Sequence, residues 1–317
     1  MARRAPLTVL VYYPDEAERY AALVRPPRAG VTVRAAATPE AAAAFVSEAE
    51  VIYAWRFPPT LLAKATRLRW IQSAGAGVDW ALVPELPATV TLTRAPGVFG
   101  PWMAEYVLAW CAWVTQRMGT YAEAQRQRRW LDSVIPRRLG GTTMAIVGLG
   151  DIGRTIARAA RALGIRVIGV TRSGRPVREA HHVHRARALP RALEEADWVV
   201  VVLPLTPATR GLIGERELAA MRPSAWLINI GRGPVVDEPA LVRALTERRI
   251  AGAVLDVFST EPLPPTHVLW GLDNVVITPH IAGPNVPEEL ADVFNDNLAR
   301  YLAGRPLRHV VDRRRGY

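Results

Sequence analysis

The feature that most constrains the fold is a glycine-rich turn near the middle of the chain. Gly148-Leu149-Gly150-Asp151-Ile152-Gly153 has the spacing G-x-G-x-x-G, and it lies between an apolar run, Met144–Val147, and a predicted helix, Asp151–Leu163. Such a turn lets the backbone approach a pyrophosphate, whose charge the N–H groups of the helix N-terminus then bind. The sequence predicts a dinucleotide-binding unit whose contacts come from Gly148, Gly150, Asp151, Ile152 and Gly153.

Short apolar runs alternate with helical segments on both sides of this turn. Before it, we predict strands at residues 7–12, 31–35, 51–54, 68–72 and 90–93; from it onward, at 144–147, 166–170, 198–203, 225–230, 251–257 and 275–277. Strands that alternate with helices are typical of parallel sheets in the α/β class. The valine run at 199–202 is continuous, as expected for a strand buried on both faces.

The length and the rhythm of the chain predict two domains. At 317 residues, about two domains are expected. We assign residues 1–100 with 284–317 to one domain and residues 101–283 to a dinucleotide-binding domain. One long helix is expected at about Pro101–Trp130, a loop at Arg175–Ala188, and a last helix, Pro287–Leu302, that returns to the first domain.

The strand after the glycine turn bears on the choice of cofactor. It ends in Thr171-Arg172-Ser173, and no carboxylate follows until Glu179. A site selective for NAD usually places Asp or Glu here, where it binds the ribose 2′-hydroxyl. An arginine can instead bind a 2′-phosphate through paired hydrogen bonds. We therefore expect Thr171, Arg172 and Ser173 to bind the cofactor, with NADP(H) preferred and NAD(H) as the alternative.

Three polar loops follow the last strands of the predicted second sheet. Arg232 lies in Asn229-Ile230-Gly231-Arg232-Gly233, Glu261 follows Asp256 in the next loop, and His280 lies in Thr278-Pro279-His280-Ile281-Ala282-Gly283. In a parallel sheet such loops gather at one edge. Histidine titrates near neutral pH, a carboxylate can orient it, and arginine binds carboxylates. These three residues are candidates for acid–base chemistry on an anionic substrate.

These loops and the glycine turn occur in an order and spacing that resemble the D-2-hydroxyacid dehydrogenase family. The segment from Glu261-Pro262-Leu263-Pro264 to Leu269-Trp270 and the loop Ser73-Ala74-Gly75-Ala76-Gly77-Val78-Asp79 also look like parts of that family, so the resemblance covers nearly the whole chain. The stretch Tyr53–Pro59 is similar to one in its bacterial glyoxylate/hydroxypyruvate reductases.

The resemblance implies a fold, a reaction and residue roles. The fold is two Rossmann-like domains with parallel sheets and the active site in the cleft between them. The first domain, residues 1–100 with 284–317, is discontinuous and would be the substrate-binding, flavodoxin-like one. The reaction is NAD(P)H-dependent reduction of small 2-oxo acids of the glyoxylate or hydroxypyruvate type to D-2-hydroxy acids. Arg232, Glu261 and His280 would be catalytic, with His280 as acid and base. The remaining assigned residues are Leu203, Pro204 and Asp256 for the cofactor, and Ala76, Gly77, Val78 and Arg232 for the substrate.

Other functions stay open at this point. Substrate choice depends on pocket side chains, so another dehydrogenase of the family, of D-lactate, D-glycerate or phosphonate type, is the alternative within the class. A nucleotide-gated regulatory protein without catalysis is the alternative outside it. The family also implies a homodimer, for which the helix from Pro101 offers an apolar surface.

The charge of the chain points first to polyanions, but its distribution does not. The net charge is +11, and 39 of the 40 basic residues are arginines scattered from Arg3 to Arg315. A nucleic-acid site would concentrate them on one element, so we expect no nucleic-acid partner. With a single cysteine, no signal peptide and no long apolar run, we expect a cytoplasmic protein without a membrane segment. His181, His182 and His184 lie in a polar stretch, and we predict no metal site.

Overall fold

Two parallel sheets organise the chain, as its alternating pattern predicts. The computed structural model describes residues 6–317; one of its sheets has five strands and the other seven. We call residues 6–98 with 285–317, which contain the first sheet, the discontinuous unit, and residues 99–284, which contain the second, the central unit. The predicted α/β class with two parallel, Rossmann-like sheets is confirmed.

The discontinuous unit has the strand order β2-β1-β3-β4-β5, and every pairing is parallel. This is the flavodoxin-like order. Its elements are β1 (Leu7–Tyr12), α1 (Ala17–Ala22), β2 (Val31–Ala36), α2 (Pro39–Ala43), β3 (Val51–Ala54), α3 (Pro59–Leu62), β4 (Trp70–Ser73), β5 (Thr91–Thr93) and, from the end of the chain, α10 (Pro287–Leu302).

The last helix is part of this unit because it buries one face against the sheet. The Phe294 ring stacks on Tyr53 of β3, with centroids 4.3 Å apart, and on Trp70 of β4, with centroids 5.3 Å apart. Asn297 is fully buried and donates to Gln72 Oε1 at 3.0 Å. Aromatic stacking and a satisfied buried amide together hold α10 in one register on the sheet.

The central unit has the strand order β12-β11-β10-β9-β6-β7-β8, again all parallel. From β8 to β11 this is the order of a dinucleotide-binding fold. Its elements are α4 (Phe99–Thr115), α5 (Met118–Arg126), β6 (Thr143–Val147), α6 (Asp151–Ala162), β7 (Arg166–Thr171), β8 (His182–Arg185), α7 (Leu189–Glu194), β9 (Trp198–Val201), α8 (Glu215–Ala219), β10 (Trp226–Asn229), α9 (Glu238–Thr246), β11 (Gly252–Leu255) and β12 (Val275–Ile277).

The order in which the chain adds strands to this sheet reverses between β6 and β9, which are parallel neighbours. The strands on one side of that point run on to β7 and β8, and those on the other side run on to β10, β11 and β12. The loops that follow β6, β9 and β10 therefore lead away from this point in different directions and leave a crevice at the carboxyl edge of the sheet. In open α/β folds, ligands bind in such a crevice.

Two expectations about this unit were wrong. The single long helix is interrupted: α4 ends at Thr115 and α5 begins at Met118, because Arg117 adopts a left-handed conformation with φ +57° that no α-helix accommodates. The stretch from Arg175 to Ala188, expected to be a loop, contains strand β8. Val183 pairs with Gly169 of β7, so β8 forms an additional edge of the sheet.

No helix within residues 6–317 is long and apolar enough to cross a membrane.

Candidate active site

The glycine turn connects the end of β6 to the start of α6. Gly148 has φ +112°, and a Cβ there would lie 2.8 Å from the Val202 carbonyl oxygen, so a side chain would meet both strain and backbone. Gly153 is buried in α6, where a Cβ would overlap the Gly148 carbonyl oxygen. These two glycines bring helix and strand closer together than a larger residue would permit.

The space over the N-terminus of α6 fits a phosphate group. A Cβ at Gly150, the N-cap residue, would meet no described atom within 4 Å, and glycine has no side chain with which to cap the helix. Asp151 is exposed and Ile152 half-buried in the first turn. The first N–H groups of a helix have no partner within the helix itself. This turn therefore offers backbone donors and open room for a dinucleotide pyrophosphate.

The end of β7 presents donors without a carboxylate. Thr171 Oγ1 accepts from the Gly174 N–H at 2.9 Å, which closes a tight turn, and Arg172 and Ser173 are exposed on it. Glu179, the first acid after the strand, is buried and lies 3.1 Å from Arg178 Nε. The end of β7 therefore offers a guanidinium and hydroxyls to an anion, and the first acid that follows it in the sequence is buried.

The segment after β9 lies between the glycine turn and the Arg232 loop. Leu203 and Pro204 are half-buried. A Cβ on Gly148 would approach the Leu203 side chain to 2.9 Å, and one on Gly231 would approach the Leu203 carbonyl oxygen to 2.7 Å. The predicted cofactor residues and the loop that carries Arg232 are thus neighbours at one edge of the sheet.

Arg232 follows β10 on a turn that hydrogen bonds stabilise. The Asn229 side chain accepts from the Gly231 N–H and donates to the Arg232 carbonyl oxygen, both at 3.2 Å. A Cβ on Gly233 would overlap the backbone of Phe258, so the turn lies directly against the loop after β11. Arg232 itself is half-buried, and one of its terminal nitrogens donates to the Gly231 carbonyl oxygen at 2.9 Å.

Glu261 and His280 form a direct pair. His280 Nδ1 lies 2.9 Å from Glu261 Oε2, and both side chains are about a quarter exposed, at 29% and 26%. The other oxygen, Oε1, accepts from the Phe258 N–H at 3.1 Å. Because one carboxylate joins its own loop to the imidazole, the ring has a defined orientation next to the Arg232 turn.

Asp256 organises the loop that carries His280. It is 1% exposed, and its carboxylate accepts from Thr278 Oγ1 at 2.6 Å, the Ile281 N–H at 2.8 Å and the Ala282 N–H at 2.9 Å. Its carbonyl oxygen accepts from the His280 N–H at 2.9 Å. These bonds hold His280 at φ +56°, a conformation uncommon for a residue other than glycine. A contact between Asp256 and a cofactor stays a prediction.

Sequence reasoning missed a residue behind this loop. Tyr106 of α4 lies 2.6 Å from Thr278 Oγ1, and because the Thr278 hydroxyl donates its proton to Asp256, Tyr106 must be the donor. Burial raises the pKa of Tyr106, with the Asp256 charge adding to the effect. The position falls within an apolar helix stretch, and its sequence pattern carries no signal for this contact.

Sequence reasoning also assigned no role to Glu238 and His267. Glu238, the first residue of α9, accepts from the Ser259 N–H at 3.1 Å, and its other oxygen lies 3.4 Å from His267 Nε2. Glu238 therefore links the loop of Arg232 to the loop of Glu261. Only the three-dimensional approach of these loops reveals the contact.

The predicted substrate loop belongs to the discontinuous unit, where it follows β4. Ala76 and Gly77 are half-buried and Val78 is buried. The Ser73 hydroxyl closes the loop by accepting from the Gly75 N–H at 3.1 Å. Trp55, which follows the neighbouring strand β3, would lie 3.4 Å from a Cβ on Gly75. The structure forms a tight backbone loop here, and its role in substrate binding stays a prediction.

The histidines at 181–184 form an edge rather than a cluster of ligands. His182 and His184 share one face of β8 with ring centroids 4.3 Å apart, and His181 Nδ1 accepts from the Val167 N–H at 2.9 Å. Burial lowers the pKa of His184, and His182 adds to the effect. No group of three or more acidic, histidine or cysteine side chains in residues 6–317 is arranged to hold a metal ion.

The described groups combine three chemical capabilities at one sheet edge. Arg232 supplies a permanent cation, the Glu261–His280 pair supplies a group that can exchange protons, and the N-terminus of α6 supplies donors for phosphates. These are the elements needed to move a hydride and a proton between a dinucleotide and a carboxylate-bearing substrate. They define a dinucleotide-dependent oxidoreductase.

Comparison with known proteins identifies the family. The family model described as D-isomer specific 2-hydroxyacid dehydrogenase, NAD binding domain, matches residues 108–282, more than half of the chain. The chain belongs to the D-isomer specific 2-hydroxyacid dehydrogenase family, whose members are oxidoreductases that act on the CH–OH group of small 2-hydroxy acids.

Individual relatives are similar over most of their length. A glyoxylate/hydroxypyruvate reductase A of Serratia proteamaculans is 34% identical over 278 residues, which cover 85% of this chain and 88% of the relative. A family member from Aeromonas salmonicida has a solved structure with TM-score 0.88, 35% identity and coverage of 98% and 100%. The NADPH-dependent glyoxylate/hydroxypyruvate reductase of Sinorhizobium meliloti, solved with NADP and sulfate, has TM-score 0.88, 32% identity and coverage of 99% and 100%.

Replacing Asp256 with Asn should loosen the His280 loop. The amide would put a donor opposite the N–H or hydroxyl donors that the carboxylate now accepts, and an unsatisfied buried donor costs about 1–3 kcal/mol. We expect the urea midpoint to fall accordingly. Asp273→Asn is the control, because that carboxylate is 80% exposed and pairs with Arg248 at the surface. Equal midpoints for the two variants would contradict the role given to Asp256.

Proposed function

We propose that this protein reduces small 2-oxo acids of the glyoxylate or hydroxypyruvate type to D-2-hydroxy acids, with NADPH as the preferred reductant. The observation that carries the proposal is the 2.9 Å contact of Glu261 with His280, next to the Arg232 turn and on the same sheet edge as the glycine turn. Family membership and the substrate named for the relatives above support the substrate class.

The residues that would hold the cofactor are those of the central unit described above. Gly148, Gly150, Asp151, Ile152 and Gly153 would bind the pyrophosphate, and Thr171, Arg172 and Ser173 the ribose 2′-phosphate. Leu203, Pro204 and Asp256 are the remaining predicted contacts. When bound, NADPH supplies the hydride that the carbonyl carbon of the substrate accepts. The preference for NADPH rests on exposed Arg172 and on the absence of a carboxylate at the end of β7.

The protein's own residues would supply binding and the proton. Arg232 pairs with the substrate carboxylate and polarises the neighbouring carbonyl oxygen. His280 donates its Nε2 proton to that oxygen as charge develops on it, and it regains the proton from solvent. Glu261 engages Nδ1 and so leaves Nε2 as the reacting nitrogen. Substrate binding by the N–H groups of Ala76, Gly77 and Val78 stays a prediction.

A cofactor and substrate panel tests the function directly. We expect purified protein to oxidise NADPH, followed by absorbance at 340 nm, with glyoxylate and hydroxypyruvate, and to use pyruvate less efficiently. Turnover of D-lactate, D-glycerate or a phosphonate with higher kcat/KM would favour the alternative dehydrogenases. Binding of NADPH without turnover of any 2-oxo acid would favour a nucleotide-gated regulatory protein.

Replacing His280 with Ala should remove the proton donor and leave the cofactor site intact. We expect kcat for glyoxylate to fall by at least about 100-fold, the lower range for loss of a general acid. NADPH affinity, measured by fluorescence titration, should stay unchanged. His182→Ala, which removes an exposed histidine of the same unit, should retain full activity. A His280→Ala enzyme with near-normal kcat would exclude His280 as the acid.

Replacing Arg172 with Ala should weaken the use of NADPH selectively. Loss of a charge-assisted contact to the 2′-phosphate predicts that KM for NADPH rises about tenfold, while KM for NADH changes little. Steady-state kinetics with NADPH and with NADH measure the two KM values and their ratio. Arg158→Ala, at an exposed position of α6, is the matched control. Unchanged NADPH kinetics in Arg172→Ala would overturn the assignment of cofactor specificity.

We further infer a cytoplasmic homodimer. In support, the central unit exposes large apolar side chains on and after α4 and α5: Trp102, Trp113, Met118, Trp130 and Ile135. Trp130 is 93% exposed, which is costly for an indole in a monomer. Sedimentation velocity should give a dimer for the wild type and a monomer for the double variant Trp130→Ser, Ile135→Ser. A monomeric wild type would refute the inference.

A further inference from the structure

We propose that Glu238 is a positioning residue that sets the geometry of the Glu261–His280 pair. The proposal deepens the function proposed above and rests on it for its catalytic consequence. Glu238 acts on the loop between Phe258 and Glu261, from which the catalytic carboxylate extends toward His280.

The loop is held by two carboxylates at consecutive backbone positions. The Phe258 N–H donates to Glu261 Oε1 and the Ser259 N–H donates to Glu238 Oε2, each at 3.1 Å. The first bond ties Glu261 to its own loop and the second ties that loop to α9. Because Ser259 is exposed, no burial of its side chain would keep this stretch in place without the bond to Glu238.

Glu238 is itself held from the opposite side. His267 Nδ1 accepts from the Leu269 N–H at 3.4 Å, so the ring carries its proton on Nε2, the nitrogen that lies 3.4 Å from Glu238 Oε1. The two side chains are 21% and 23% exposed. A negative charge also suits the first turn of a helix. Glu238 therefore has a defined rotamer and both of its oxygens are engaged.

The position of Glu238 connects the two halves of the catalytic arrangement. It begins α9, and the short turn that leads into this helix carries Arg232. The same turn lies against the loop of Glu261 through the close approach of Gly233 to Phe258. A close backbone approach and a carboxylate bridge thus join two loops. One is the Arg232 loop, which would bind the substrate anion, and the other is the Glu261 loop, which orients His280.

Removing the bridge should affect the rate more than binding. A displacement of the order of 1 Å in a catalytic group can cost about 100-fold in rate. For Glu238→Ala we expect kcat with NADPH and glyoxylate to fall about tenfold, with KM for both substrates changed less than about twofold. Glu238→Gln keeps an oxygen for the Ser259 N–H but turns its amide donor toward His267 Nε2, so its kcat should lie between the values of Glu238→Ala and the wild type.

The matched control is Glu215→Ala. Glu215 of α8 pairs with Arg243 in the last turn of α9 and with Arg249 just beyond that helix, so its loss removes two ion pairs near the end of α9 that is distant in sequence from Glu238. Exposed pairs of this kind contribute little to stability, and kcat should stay at the wild-type value. An equal loss of kcat in Glu215→Ala would show that general loosening of α9 is the cause and would overturn the proposal.

A double-mutant cycle separates positioning from structural support. If Glu238 acts through Glu261, its replacement should cost nothing further in a Glu261→Gln background, because the group it positions is already disabled. A merely structural role predicts the same tenfold loss in both backgrounds. Additive effects on kcat would therefore overturn the proposal, and loss of the Glu238 effect supports it.

A second measurement does not depend on activity. Hydrogen exchange of the peptide that spans residues 257–262 should be faster in Glu238→Ala than in the wild type, and unchanged in Glu215→Ala, because only the first variant releases the Ser259 N–H. Unaltered exchange in Glu238→Ala overturns the proposal. A wild-type protein that reduces no 2-oxo acid overturns the function proposed above instead, and the exchange experiment then decides alone whether Glu238 holds this loop.

Discussion

The buried carboxylate of Asp256 is the interaction on which the rest of the site depends. It accepts two backbone N–H groups and one hydroxyl from residues 278–282, and so folds the loop after β12 onto the end of β11. A charge this deeply buried is tolerated because each oxygen is hydrogen-bonded. The result is a histidine held in a left-handed conformation at the sheet edge, with its backbone N–H also bound by Asp256.

Two other acids, Glu261 and Glu238, also organise the site through hydrogen bonds to their carboxylate oxygens. Glu261 and Glu238 each bind a backbone N–H of the loop after β11 with one oxygen and a histidine ring with the other. In a chain with a net charge of +11, it is thus a few carboxylates that organise the site. Many arginines form exposed ion pairs, such as those of Arg19 and Arg126, which contribute little individually. The excess charge therefore carries little information about function.

Sequence patterns predicted the sheets well because a strand that is buried in a sheet requires apolar residues along its length. Strands such as β6 and β9 are continuous apolar runs, which match a position inside a sheet covered on both faces. The patterns failed where the backbone angle of a single residue ends a helix and where a strand lies at the edge of a sheet. Arg117 interrupts the helix although a helix resumes directly after it at Met118, and β8 is a polar edge strand whose composition resembles that of a loop. Neither case leaves a periodic signal in the residues themselves.

Short-range spacing and residue chemistry are enough to predict the glycine turn, the parallel α/β class and the candidates Arg232, Glu261 and His280 from the amino-acid sequence. Three contacts become visible in the folded chain alone: Glu261 lies 2.9 Å from His280, Tyr106 donates toward Asp256 through Thr278, and Glu238 bridges two loops. The physical reason is that hydrogen bonds form between atoms brought together by strand order and register, and residues 106, 238 and 278 are neighbours of this site only after the sheet has formed.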